Sequence, residues 1–270
     1  MELHEYFSGK GFLSSDIMES ISIIRLENVE WFTLAADTNT VLMDCATAVV
    51  KIVKTTQMEA KAVAVRVMLR SCGTFQGVIL LTERGMVVEG RTLARSLIEN
   101  AFCVAALLNN PTEFIQKLKD DSAASKKHQS KYIIDKKLVD DTSANNLKNV
   151  INAIDRNCKI LNPKAVSELG PLNKLYLSYQ RLSNDAAHPT AKSLEHHVLT
   201  DAARSNWRYK WGPGGQGENA ATLYHAISAA IPIGIGITEM LKDETGIDEF
   251  RTKFRDLMDR YYKMPPVPIV

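Results

Sequence analysis

The sequence predicts an all-α protein, a helical bundle with long antiparallel helices. Three observations predict it. Apolar residues recur at helical spacing through most of the chain. No alternating strand pattern persists over more than a few residues. Proline and glycine punctuate the apolar runs at Gly85, Pro111, Pro163, Pro171 and Pro189. One domain over residues 36–262 is expected, with a lead-in over 1–35 and an extended Pro-rich tail over 263–270.

Residues 1–35 are mixed, which predicts a poorly regular lead-in with a short helix or strand. From about Thr38 to Thr55, Val41, Leu42, Cys45, Val49, Ile52 and Val53 fall at helical spacing. A second helix is expected from about Gln57 to Arg84, with Gly85 as its left-handed stop. A third runs from about Val88 to Asn109. Pro111 suits the first turn of a fourth, to about Lys136. The stretch from Asp120 to Asp141 is densely charged and reads as a solvated helical segment projecting beyond the core.

Asp141 or Ser143 is a candidate cap for a fifth helix reaching Ile160. A further helix is expected from Leu172 to Ala187, ended by His188-Pro189. Residues 189–216 read as irregular, with an aromatic and Gly-rich loop (NWRYKWGPGGQG). Residues 219–238 carry no formal charge, which is about the length of a membrane span. Its polar first half, Asn219 to Ser228, and Pro232, Gly234 and Gly236 in its second half favour a buried, kinked core helix instead. No membrane partner is therefore expected. A terminal amphipathic helix should run from about Ile247 to Tyr262.

Of 270 residues, 33 are Lys or Arg and 31 are Asp or Glu, for a formal charge of +2, while 45% are hydrophobic. That balance excludes a disordered chain, a collagen and a disulfide scaffold. It also excludes attachment to nucleic acid by bulk charge alone. Cys45, Cys72, Cys103 and Cys158 form no C-x-x-C pair and no metal spacing. They read as reduced thiols in a cytoplasmic protein. The N-terminal MELHEYFSGKGF has no basic and no apolar leader region, so no signal peptide is expected.

The segment from Tyr176 to Pro189 (YLSYQRLSNDAAHP) carries the most chemistry. On a regular helix, positions i, i+4 and i+7 share a face. Arg181, Asp185 and His188 are therefore expected to align, with Asp185 pairing Arg181 one turn back. Ser183 would join Tyr176 and Tyr179 on a neighbouring stripe. His188 falls where Pro189 forces the helix exit, and an imidazole placed there suits general acid–base work. The structural alternative is a His that hydrogen-bonds a facing helix and fixes the turn.

A second constellation lies on the third helix. Arg95 and Glu99 are one turn apart in a largely apolar run, with Arg91 one turn earlier. They read either as an internal ion pair or as groups beside the Tyr179 helix, orienting it or holding phosphate. Three other candidates are weaker. His196-His197 cannot share a helix face and read as a surface loop, with no metal expected anywhere. Gly212-x-Gly214-x-x-Gly217 has no preceding buried strand, so the dinucleotide reading fails. The tract Trp207 to Trp211 could stack bases, and packing of that loop on the bundle is the preferred reading.

The segments LLTERGMVVEGRTLARSLIENAFCVAALL (80–108) and LYLSYQRLSNDAAHPT (175–190) together resemble a bacterial domain-of-unknown-function family, number 5677. The matching positions are Gly85, Arg95, Glu99, Tyr179, Ser183, His188 and Pro189. The likeness would cover about residues 57–245. It implies a helical fold and no established reaction. Arg181, six intervening residues and His188 are more loosely similar to the HEPN-type ribonucleases, although Leu182 follows the Arg where a polar residue is usual.

That second similarity implies a HEPN-like bundle cutting RNA without metal or cofactor, at a site shared across a homodimer, in a toxin or phage-defence setting with a cognate protein partner. His188 would then move a proton and Arg181 would stabilise the charged phosphorane, with Asp185 completing the catalytic set. Arg95, Glu99, Tyr179, Ser183 and Asn184 would bind substrate or support those groups. The rival expectation is a non-catalytic interaction or sensor module, in which the same Arg, Glu, Tyr and His form a structural polar network.

Overall fold

A computed structural model describes residues 10–15, 17–201, 206–215 and 217–267. It is a bundle of eleven α-helices with one small antiparallel hairpin among the described residues. The fold is all-α, as the periodicity predicts. The first nine residues of the lead-in and the last three of the tail lie outside the described residues.

The lead-in is more regular than expected. Helix α1 spans Ile17–Glu27 and α2 spans Val29–Ile52. Ile17, Ser20, Ile21 and Ile24 repeat at i, i+3, i+4 and i+7 and are all buried, which is a core-facing helical stripe. In α2, burial of Trp31, Phe32, Leu34 and Ala35 carries the helix well upstream of Thr38.

Helix α3 spans Ala60–Thr82 and α4 spans Val87–Asn109. Gly85 makes the reversal between them, as its sequence position predicts. Its φ is +74°, and the Met86 amide closes back onto the Leu81 carbonyl at 2.9 Å. Helix α5 spans Pro111–Asp135 with Pro111 in its first turn. Helix α6 spans Asp141–Ala153, capped by Asp140, whose side chain accepts from the Ser143 amide at 2.9 Å. It ends earlier than the expected Ile160, because Ile154 leaves in an extended conformation.

Three short helices come next: α7 over Pro163–Ser167, α8 over Tyr176–Leu182 and α9 over Ala191–Glu195. Strands β1, Val198–Thr200, and β2, Trp207–Tyr209, pair antiparallel with Val198 opposite Tyr209. Three-residue strands are too short for an alternation to register, so this hairpin had no signal in the sequence. It also corrects the packed-loop reading, since Trp207, Tyr209 and Trp211 are all exposed.

Helix α10, Glu218–Met240, runs through the middle and packs on α4, α3, α2 and on α11, Ile247–Tyr262. By length and composition, Ala60–Thr82 and Glu218–Met240 could each cross a membrane, but 83% of the apolar window in Glu218–Met240 is buried inside the fold. It is the core helix the sequence favoured, with Pro232 inside it. Gly234 allows a close approach of α11: a side chain there would collide with the Phe254 ring. This frame leaves one face of α4 for α8 and the π-helical turn beyond it.

Candidate functional site: two polar clusters between α4 and the Tyr176–His188 segment

Helix α8 does not continue regularly to Pro189. Ser183–Ala187 winds as a π-helix, and His188 is extended at φ −132° and ψ 151°. The wider π turn adds a residue and shifts the side-chain phase. The expected common face of Arg181, Asp185 and His188 is therefore broken. Asp185 turns inward and is 2% exposed, whereas Arg181 and His188 stay at the surface. This corrects the pairing of Asp185 with Arg181.

The inward turn brings Asp185 to Arg91 on α4. Arg91 Nη1 donates to Asp185 Oδ2 at 2.6 Å, and both side chains are 2% exposed. The imidazole of His196 joins them, with Nε2 at 3.0 Å from Asp185 Oδ1 and Nδ1 at 3.5 Å from Glu218 Oε1. Glu218 also lies 3.7 Å from Arg91 Nη1. Two cations and two carboxylates thus neutralise one another in a largely water-free place, the condition under which buried charge is tolerated.

These contacts decide the protonation states. Hydrogen bonds to Asp185 and then to Glu218 push the His196 imidazole up to about 9, against an opposing effect of burial. His196 is therefore an imidazolium at neutral pH. The Glu218 carboxyl is pulled down to about 2, first by its bond to His196, while burial opposes. Burial alone would raise Asp185, but the His196 bond and the Arg91 guanidinium hold it below its ordinary value. Nearby His225 on α10 is buried and pushed down to about 4, by burial first and then by Arg91, so it is neutral. With its charge committed at both ring nitrogens, His196 is a strut and not a base.

Local sequence places His196 here. Thr190 and Ser193 form a reciprocal capping box at the start of α9. Ser193 Oγ also donates to the His188 carbonyl at 2.7 Å, and the Thr190 hydroxyl donates to the Asn184 carbonyl. Asn184 contributes backbone to this turn and its side chain is exposed. The surface-loop reading of His196 is thereby corrected.

A second cluster lies one turn along α4. Arg95 Nε donates to Ser183 Oγ at 2.7 Å, and Nη2 donates to Tyr179 OH at 2.6 Å. Glu99 Oε1 lies 3.3 Å from the same Nη2. The guanidinium carbon sits 4.6 Å from the Tyr179 ring centroid. Burial and then the Glu99 charge raise the Tyr179 hydroxyl above its ordinary value, so it stays protonated. Ser183 Oγ donates onward to the Tyr179 carbonyl at 2.9 Å. Arg95, Glu99, Tyr179 and Ser183, four of the seven positions singled out by the family resemblance, thus form one half-buried group.

His188 is not part of either cluster. Its side chain and that of Arg181 make no hydrogen bond or ion pair with the described residues. Asn184 likewise faces water. Among the described residues no group of three His, Cys, Asp or Glu side chains is placed to hold a metal.

Sequence reading missed His196 and Glu218 as partners of Asp185. The available signal was Glu218 itself, a lone acid opening a 23-residue helix that holds one other charge. Its position in the first turn also favours the carboxylate through the helix dipole.

No curated protein and no solved structure matches this chain significantly. One family model does, and it spans α3 to β1, taking in Arg91, Arg95, Glu99, Tyr179, Ser183, Asp185, His188 and His196. That match covers residues 61–205, just over half of the 270, and the chain accordingly belongs to the family of unknown function DUF5677.

Proposed function

We propose that this protein is a non-catalytic helical binding module whose polar clusters fix the register of α8 against α4. One observation carries the reading. Asp185, the carboxylate that would orient His188, is sealed into a charge-balanced group with Arg91, His196 and Glu218. A general-base His needs a partner that holds its ring and tautomer, and His188 has none among the described residues. The four cysteines are free thiols, which suits a reducing cytoplasmic setting.

The test is incubation of the purified full chain with RNA in EDTA. This reading expects no cleavage by wild type or by His188→Ala. It also expects the Asp185→Asn variant to lose substantial stability while His188→Ala keeps it. Cleavage by wild type that disappears in His188→Ala would overturn it.

A second reading keeps the HEPN-like, metal-independent ribonuclease, dimeric and acting in toxin or phage defence with a cognate partner. Arg181 and His188 are both exposed and unpaired among the described residues, and the hairpin presents Trp207, Arg208 and Tyr209 to solvent, a pattern that can stack and neutralise single-stranded RNA. In that reading a second copy supplies the missing orienting group. Sedimentation of a monomer at tens of micromolar would remove its premise.

A further inference from the structure

Away from both clusters, α3, α5 and α6 enclose a cleft of about 890 Å³. We propose that it binds a single-chain amphiphile with an anionic head, the alkyl chain on the cleft floor and the head at its rim. This deepens the binding-module reading and rests on it.

Three observations carry the proposal. The floor is apolar, with Val63 buried and Val67 and Leu118 half-buried. The rim carries Arg66, Arg70, Lys119 and Lys126, all exposed, and among the described residues no acidic one lines the cleft. None of these four cations has an ion pair among the described residues. Arg66 donates only to the Gln57 carbonyl at 3.2 Å, and Arg70 to Ser96 Oγ at 3.2 Å. By contrast, Lys253 pairs with Glu249 and Arg260 with Asp37 on other faces. Four uncompensated positive charges around one apolar hollow attract an anion and focus its approach.

The third observation is α6. Leu147, Val150, Ile151 and the adjoining Ile154 repeat at i, i+3, i+4 and i+7, yet α6 has no buried residue. Val150 and Ile154 of that stripe line the hollow, Val150 exposed and Ile154 half-buried, and lack contacts that an alkyl chain would supply. The volume lies within the ~300–1,000 Å³ range of small-molecule sites.

The experiment is calorimetric titration of the full chain with laurate, dodecyl phosphate and dodecyltrimethylammonium, each below its micelle concentration. Laurate or dodecyl phosphate should bind with Kd below about 100 μM, and the stronger of the two identifies a carboxylate or a phosphate head. Raising salt from about 0.05 to 0.5 M should weaken binding several-fold. The Lys119→Glu/Lys126→Glu double variant should weaken it at least about tenfold at unchanged melting temperature, since neither side chain has a stabilising ion pair. Ala153→Trp, at an exposed position on the cleft wall, should weaken it by filling the hollow.

Equal binding of dodecyltrimethylammonium, unchanged laurate affinity in the double variant, or no binding of either anionic chain would overturn the proposal. So would preferential binding of an acidic amphipathic peptide at the same residues. These outcomes leave the RNA test untouched: His188-dependent cleavage would end the module reading whether or not the amphiphile binds.

Discussion

Asp185 accepts a 2.6 Å hydrogen bond from Arg91, a residue 94 positions earlier in the chain. Both are buried, and the contact pins the π-helical turn before His188 to the middle of the bundle. Removing one partner leaves the other charged and out of water. Asp185→Asn should therefore destabilise by about 3–5 kcal/mol in urea denaturation. The Arg91→Met/Asp185→Leu double variant should lose clearly less than the sum of the single changes.

The cluster sets a pH dependence with a definite sign. His196 is raised in the folded state, so its contribution is fully present below its unfolded value near 6.5 and is lost as pH rises through about 9. Wild type should exceed His196→Gln most at pH 6, and the gap should shrink by about 2 kcal/mol by pH 10. His225 acts oppositely. Its folded value is depressed, so its contribution is present above 6.5 and lost as pH falls toward 4. Thermal melts of His196→Gln and His225→Gln across pH 4–10 separate the two.

The Arg95 cluster should behave as a unit. Tyr179→Phe removes one acceptor and should cost about 1 kcal/mol. A cycle with Arg95→Ala should show a coupling of about 0.5–2 kcal/mol, because the two side chains share a hydrogen bond and a ring contact. Additive losses would mean that the two groups do not act together.

His188→Ala should change stability by less than about 0.5 kcal/mol, as an exposed residue with no bond to lose among the described residues. The chemical denaturation midpoint checks this. A large loss would place the imidazole inside the fold.

Gly234→Ala should cost about 1–3 kcal/mol, because the added methyl meets the Phe254 ring in a core that cannot give way. The Gly234→Ala/Phe254→Leu pair should recover part of the loss, read as a rise in melting temperature.

The long helices, the Gly85 reversal and the uncharged core helix were legible because each rests on local chemistry: periodicity, a positive φ, a run without charge. The grouping of Tyr179 with Ser183 was legible for the same reason, since Tyr179 precedes the π turn and Ser183 opens it. What failed was phase beyond Leu182. Regular winding would have left Asp185 beside Arg181, and the extra residue turned it to Arg91 instead. His196 and Glu218 were hidden for a different reason. Their association spans helix, hairpin and loop, and no spacing in one dimension encodes it. The α1 stripe was readable at Ile17, Ile21 and Ile24, but the short mixed run around it obscured the repeat.

The π turn has a consequence for chain length. Between Ser183 and Ala187 the backbone holds one more residue than its rise requires. Deleting Ser183 or Asn184 would let it relax to the ordinary winding, which keeps the flanking backbone in place and turns the remaining residues of the stretch to new directions. Asp185 would then leave Arg91. This stretch works as a ruler. It tolerates new side chains at its wet positions and no change in count, so insertion and deletion scanning should find it far less forgiving than amino-acid replacement.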